Sequence, residues 1–151
     1  MKNANEVLKR YWDGRLPVNL HDIANQEYIR VVPIEDSSLS GCYDVQDNEP
    51  VIKFNIAEHP RRRRFTIAHE LGHHFLNHGP AMRDSPENLA GQSQDPKEIE
   101  ANNFAACLLM PESVVRRLIQ TGEVRSITEL ANRFDVSEIA MQYRLRNLGI
   151  I

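Results

Sequence analysis

The sequence has few cysteines and few aromatic residues, and it contains no long hydrophobic run. Only two cysteines occur among 151 residues, and neither lies in a CxxC pair or at a cysteine–histidine spacing typical of a metal site. We therefore expect Cys42 and Cys107 to be small core residues in a reducing compartment. No apolar stretch approaches the roughly 18 residues of a membrane span, and the first residues lead into no signal-peptide core. These absences predict a cytoplasmic protein.

The charge balance argues against a dedicated nucleic-acid protein. The chain carries 18 Lys and Arg against 21 Asp and Glu, a net charge of −3, with a pI near 6.1. Binding to a phosphate backbone favours the opposite balance. The length and the 41% hydrophobic content indicate one globular domain with a small appendage. Four of the six histidines fall within ten residues, namely His69, His73, His74 and His78.

Hydrophobic periodicity predicts an α+β fold, with strands first and helices after them. Strands are predicted at 28–34, 41–45 and 51–56, the last two as a hairpin. Helices are predicted at 4–13, 20–26, 60–78, 97–110, 111–122, 126–134 and 137–147. We expect a small three-stranded sheet packed with a helical core over residues 1–121. The segment 122–151 should form a helix-turn-helix-like unit packed on that core, and 80–96 a functional or mobile loop.

The histidine cluster contains an H-E-x-x-H motif, His69-Glu70-Leu71-Gly72-His73. On a helix the two imidazoles are about 40° apart and one turn apart, so both can bind one zinc ion. Glu70 lies beside this face, where it can act as general base on a metal-activated water. The apolar arc of the helix borders the same face, and Gly72 on that arc predicts close approach by another element.

A catalytic zinc ion usually has a third protein ligand. His74 and His78 point away from His69 if the helix continues, so we expect them at the surface or in outer hydrogen bonds. A carboxylate of the next predicted helix is the better candidate. Glu98 lies about 50° from the centre of that helix's apolar arc and Glu100 about 110° away, so Glu98 is the predicted ligand and Glu100 the alternative.

Asn102 follows Glu98 by one turn and can hydrogen-bond a metal ligand, although an ordinary surface position is equally compatible with the sequence.

Arg61 to Arg64 open the histidine helix as a run of four arginines. They form either a solvated face or a patch for an acidic protein surface, and Arg64 is the one expected to be structural. The strand at 51–56 offers a way to bind an extended substrate if it lies at a sheet edge.

Two blocks of sequence stand out, RFTIAHELGH at 64–73 and E-x-x-A-N-x-F-A-x-x-L-L-M-P at 98–111. Together they resemble the ImmA/IrrE family of bacterial and phage-associated zinc metallopeptidases. The resemblance extends from about residue 20 to the C-terminus. It implies a gluzincin-like minimal peptidase domain with zinc at His69, His73 and Glu98 and a catalytic glutamate at Glu70.

The resemblance also implies a substrate, a partner helix-turn-helix repressor of the XRE type that is often encoded nearby. Its cleavage would relieve repression of a mobile-element or stress-response operon. Two other classes fit the sequence: a metal-binding regulator or toxin–antitoxin-type partner that does not cut the repressor, and a small DNA-binding protein that uses the C-terminal helices. Glu138 at the start of the last helix would repel phosphate, so we expect that segment to pack or to bind a partner.

Overall fold

A computed structural model describes residues 1–36 and 38–151. Within them the helices are α1 (Ala4–Tyr11), α2 (Leu20–Gln26), α3 (Pro60–Phe75), α4 (Pro86–Leu89), α5 (Pro96–Leu109), α6 (Glu112–Gln120), α7 (Ile127–Phe134) and α8 (Glu138–Asn147). The strands are β1 (Arg30–Ile34), β2 (Gly41–Gln46), β3 (Glu49–Asn55) and β4 (Ala81–Asp84). The predicted α+β class is confirmed.

The sheet has the strand order β1-β3-β2-β4 in the described residues. The predicted hairpin is present, because β2 and β3 pair in antiparallel register with Tyr43 opposite Ile52. Its turn residues Asp47 and Asn48 have positive φ angles of 53° and 64°, which suit the right-handed twist of the strands. The remaining predicted strand, at 28–34, corresponds to β1 and pairs with β3 in parallel.

The expectation of three strands is wrong, because β4 adds a fourth on the free side of β2. The segment 80–96 is therefore largely structured, with β4 followed by the short helix α4. Ser85 caps α4 by accepting a hydrogen bond from the backbone N–H of Asn88. The strand was missed because it has four residues and no β-branched side chain, so that pairing with β2 stabilises it rather than local propensity.

Helix α3 lies between the sheet and α5 and positions the histidine motif. It packs on β2 and β3 on one side and on α5 on the other. A Cβ at Gly72 would lie 3.2 Å from Ala101 Cα and from Phe104 Cβ, so the two helices touch there. The close approach predicted from Gly72 is thus confirmed, and Phe75 stacks on Phe104 beside it with ring centroids 5.9 Å apart.

The helix ends earlier than predicted, at Phe75 rather than at residue 78. Asn77 adopts a left-handed conformation with φ of 58°, which reverses the chain. The backbone N–H of His78 then bonds the carbonyl of His73 at 2.9 Å. His78 therefore turns back toward the motif, and of the two places expected for it, the surface or an outer hydrogen bond, it takes the second.

The C-terminal helices α7 and α8 occur close to their predicted positions and pack on each other. Arg144 of α8 donates from Nε to the carbonyl of Met110 at 3.0 Å, which ties this segment to the end of α5. Both cysteines are free thiols, with Cys42 buried and Cys107 half-buried. Among the helices of the described ranges, none is long and apolar enough to cross a membrane.

Candidate metal centre

The two motif histidines project from α3 into one buried space. His69 and His73 have no solvent-exposed surface. Glu98 enters the same space from the first turn of α5, with Oε2 3.0 Å from His69 Nε2 and Oε1 3.3 Å from His73 Nε2. The structure therefore brings together the three residues predicted as ligands. Glu100 points elsewhere, and its side chain is 57% exposed.

Hydrogen bonds at the far ring nitrogens fix the tautomer of both imidazoles. His69 donates from Nδ1 to Oδ1 of Asn102 at 2.8 Å. His73 donates from Nδ1 to Nδ1 of His78 at 2.9 Å, and His78 donates from Nε2 to Oε2 of Glu100 at 2.9 Å. With Nδ1 as the donor, Nε2 of each motif histidine faces the metal position and can bind an ion when the ring is neutral, an arrangement common around zinc.

Three of the residues in these bonds had uncertain roles in the sequence. Asn102 was equally compatible with a surface position, but its amide also donates to the carbonyl of Asn88 at 2.8 Å and is held on both sides. His78 and Glu100 form an outer chain of hydrogen bonds instead of supplying a metal ligand. His74 lies on a different side of α3, where its ring nitrogens contact the Tyr43 hydroxyl and the Glu27 carboxylate.

Glu70 is fully buried next to the imidazoles, with Oε1 4.0 Å from His73 Nε2. Both of its carboxylate oxygens lack a hydrogen-bond partner among the described residues. Gly41 of β2 makes room for it, because a Cβ there would lie 3.2 Å from Glu70 Oε2. Burial raises the pKa of Glu70 well above its ordinary value, and the nearby charge of Asp84 raises it further.

Asp84, the last residue of β4, is a member of the cluster that sequence reasoning missed. It has no exposed surface, and its Oδ2 lies 3.4 Å from His69 Nε2 and 3.2 Å from His73 Nε2. One ligand atom from each of His69, Glu70, His73 and Asp84 falls within 4.8 Å of all the others. No sequence spacing marks Asp84, because pairing between β4 and β2 brings it to the site.

The buried imidazoles and carboxyl groups of the cluster shift one another's pKa values. Burial lowers the pKa of His69, but contacts with Asp84 and Glu98 outweigh it and raise the pKa to about 9. Burial raises the pKa of Asp84, and contacts with His69 and His73 outweigh it in the other direction and hold the pKa well below its ordinary range. Three buried carboxyl groups, Glu70, Asp84 and Glu98, thus meet two imidazoles.

The donor set fits a divalent metal ion. Seven buried side-chain atoms in the described residues lack a hydrogen-bond partner, and four of them belong to this cluster: both oxygens of Glu70, His73 Nε2 and Asp84 Oδ2. Imidazole nitrogen with carboxylate oxygen is a ligand set typical of zinc and related transition metals. A cation here would give these atoms partners and balance the buried carboxylates.

An HExxH motif on α3 with a carboxylate from α5 places this protein among the metallopeptidases. A family model described as the IrrE N-terminal-like domain matches residues 24–146. The chain therefore belongs to this family of metallopeptidases.

Several relatives are similar to the chain over most of its length. It is 36% identical over 111 residues to the radiation response metalloprotease IrrE of Deinococcus radiodurans, an alignment that covers 70% of this chain and 33% of the relative. It is 24% identical over 131 residues to the metallopeptidase ImmA of Bacillus subtilis, covering 87% and 77%. It is 32% identical over 119 residues to the uncharacterized immunity region protein 2 of Bacillus phage phi105, covering 78% and 72%.

A solved structure shares the fold. The Mycobacterium tuberculosis transcriptional regulator superposes with a TM-score of 0.57 at 20% identity, covering 83% of this chain and 39% of the other. The chain spans about a third of the length of the Deinococcus radiodurans IrrE that it matches. The comparisons thus establish the family and the fold of this segment.

Proposed function

We propose that the protein is a zinc-dependent endopeptidase in which His69, His73 and Glu98 hold the metal and Glu70 is the general base. The observation that carries the proposal is Glu70, a fully buried carboxylate beside the imidazole pair without a hydrogen-bond partner in the described chain. A buried acid held free of structural bonds beside a metal position is suited to proton transfer.

A bound zinc ion supplies Lewis-acid polarisation of the scissile carbonyl and activates a water molecule. Glu70 takes the proton of the attacking water and delivers it to the departing amine. Asn102 and the His78–Glu100 pair hold the two imidazoles in the orientation that leaves each Nε2 available. The packing of α3 between the sheet and α5 keeps this arrangement rigid.

The proposed substrate is a helix-turn-helix repressor of the XRE type encoded near this gene. The support is the family resemblance of the two sequence blocks, together with relatives named as a radiation response protease and as a phage immunity region protein. In this proposal cleavage relieves repression of a mobile-element or stress-response operon. The segment 122–151 is proposed to pack on the peptidase unit rather than to bind DNA.

The C-terminal helices offer little to a DNA duplex. Base-reading helices use mainly their N-terminal residues, and α8 begins with Glu138 and the apolar Ile139, which is 64% exposed. Tyr143, 60% exposed, follows Ile139 by one turn. An exposed apolar pair of this kind favours contact with protein.

The decisive experiment incubates the purified protein with the neighbouring repressor, with and without a metal chelator, and follows full-length repressor on a gel. We expect zinc-dependent loss of the repressor that disappears in Glu70→Gln, while the variant keeps its metal. If the repressor stays intact while the protein has zinc bound, the proposal is wrong and the non-cutting regulator is favoured. Binding of the protein to operator DNA in the same reactions would favour the DNA-binding alternative.

A further inference from the structure

Asp84 has no role in the proposed reaction, although it is buried in the middle of the cluster. His69, His73, Glu98 and Glu70 account for three ligands and a general base. Asp84 Oδ2 nevertheless lies within 3.4 Å of both Nε2 atoms and has no hydrogen-bond partner among the residues described. A fully buried carboxylate oxygen in this position requires an explanation.

The distances match those between the ligands of one tetrahedral ion. Zinc bonds of 2.0–2.1 Å place neighbouring ligand atoms about 3.3 Å apart. Glu98 oxygens lie 3.0 and 3.3 Å from the two Nε2 atoms, and Asp84 Oδ2 lies 3.4 and 3.2 Å from them. A single Asp84 oxygen therefore lies at ligand-to-ligand distance from both imidazoles, whereas Glu98 presents a different oxygen to each.

The strand that carries Asp84 lies where a peptide would lie if it paired with β2 as an added strand. β4 runs antiparallel along β2, with Asp84 opposite Gly41. Gly41 is the β2 residue beside Glu70, since a Cβ there would lie 3.2 Å from Glu70 Oε2. A peptide added to β2 as a new strand would bring its backbone past Glu70 and the imidazoles in the same place.

We propose that Asp84 is a fourth protein ligand of the metal and that residues 81–84 occupy the place of the substrate strand, so that the structure is a closed form of the site. Four protein ligands are typical of closed zinc sites, whereas catalytic sites keep one position open. The statement that residues 81–84 occupy the place of the substrate strand rests on the proposed peptidase function. The statement that Asp84 is a metal ligand is independent of that function.

Opening would break the four-residue pairing of β4 with β2, the contacts of Asp84 with the imidazoles and two further hydrogen bonds. Asp84 is held by a bond from the Ser40 backbone N–H to its carbonyl at 2.9 Å and by the Asn88 amide, which donates to Oδ1 at 3.3 Å. β4 has only four residues, and Ala81 and Arg83 are exposed. A partner strand that pairs with β2 can therefore replace β4 and withdraw Asp84 from the metal.

The ligand role is tested with the cobalt(II)-loaded full chain, because cobalt(II) absorbs visible light according to its ligands. Asp84→Ala is compared with the wild type and with Glu87→Ala, which removes an exposed acid three residues away. Azide titration then measures how accessible the metal is. If the closed form holds about nine-tenths of the molecules, Asp84→Ala should bind azide about tenfold more tightly than the other two proteins. Equal azide affinity and equal cobalt spectra in all three proteins would overturn the proposal.

Asp84→Cys provides a second test of metal binding by this side chain, which applies even if Asp84→Ala folds poorly. A thiolate at position 84 within bonding distance of cobalt(II) gives a strong sulfur-to-metal charge-transfer band in the near ultraviolet. We expect this band in Asp84→Cys and not in Glu87→Cys. Its absence from folded, cobalt-loaded Asp84→Cys would show that this side chain does not reach the metal.

An activity measurement separates the two parts of the proposal. With metal bound, Asp84→Ala should cleave an unstructured reporter peptide about tenfold faster than the wild type if nine-tenths of the wild type is closed. Equal rates would overturn the substrate-strand part. If no variant cleaves any peptide, the proposed function fails, while the cobalt spectra still decide whether Asp84 is a ligand.

Discussion

At the scale of single residues, the site depends on side chains that do not touch the metal position. Asn102 accepts the Nδ1–H of His69 at 2.8 Å and so fixes which nitrogen of that ring is free. Asn102→Ala should lower the metal affinity about 10- to 100-fold, as loss of such outer partners usually does. The measurement is competition with a zinc indicator, with the exposed Asn103→Ala as the matched control. Unchanged affinity in Asn102→Ala would show that packing alone orients His69.

A second residue-scale prediction concerns the two glutamates of α5. Glu98→Ala should bind zinc much more weakly than the wild type, since it removes an oxygen 3.0 Å from His69 Nε2 and leaves only His69, His73 and the proposed ligand Asp84. Glu100→Ala should retain zinc, because Glu100 acts only through His78. Elemental analysis after gel filtration measures both. Zinc retained in Glu98→Ala and lost from Glu100→Ala would reverse the assignment.

The sequence predicted best the site residues that lie close to one another along the chain. His69, Glu70 and His73 lie within five positions of one helix, so helical geometry alone places them. Glu98 needed one further assumption, that the small residues beside it let two helices approach closely. Asp84 could not be found in this way, because its position depends on the pairing of β4 with β2, a contact between residues some forty positions apart.

At the scale of elements, the contact of β2 with α3 determines where Glu70 lies. Gly41 faces α3, and a Cβ at this position would meet Thr66 Cγ2 at 2.5 Å and the Lys53 carbonyl at 2.7 Å. Gly41→Ala should therefore destabilise the fold by about 1–3 kcal/mol, because part of the obstacle is backbone that must shift. Urea unfolding of the metal-free protein measures the change. Wild-type stability in Gly41→Ala would show that β2 is not held tightly against α3.

The ends of elements were harder to predict than their existence. The start of α3 follows from Pro60, whereas its end depends on Asn77 taking a left-handed conformation. That single conformation turns His78 from an outward-facing residue into a partner of His73. The sequence signal that could have found it is the Asn77–Gly79 region itself, since asparagine commonly ends helices in this way.

At the scale of the whole molecule, Arg64 joins the metal helix to two distant segments. It donates to the carbonyl oxygens of Val18, Phe134 and Asp135 at 3.1, 3.4 and 3.2 Å. The structural role expected for it from the sequence agrees with these bonds. Arg61 adds an ion pair to Asp135 at 3.1 Å, so the C-terminal segment is attached to the first turns of α3.

The last prediction follows from this attachment. Arg64→Met should destabilise the protein by about 1–3 kcal/mol, because partly buried carbonyl groups lose their donor. Arg64→Lys should recover only part of the loss, since one ammonium group cannot reach three carbonyls as a guanidinium does. Urea unfolding followed by circular dichroism measures the change, with the half-exposed Arg62→Met as control. Because α7 and α8 are bound to α3 through Arg64, the wild type should unfold in one transition. An early separate transition of the C-terminal helices in the wild type would show instead that residues 122–151 are a unit independent of the metal domain.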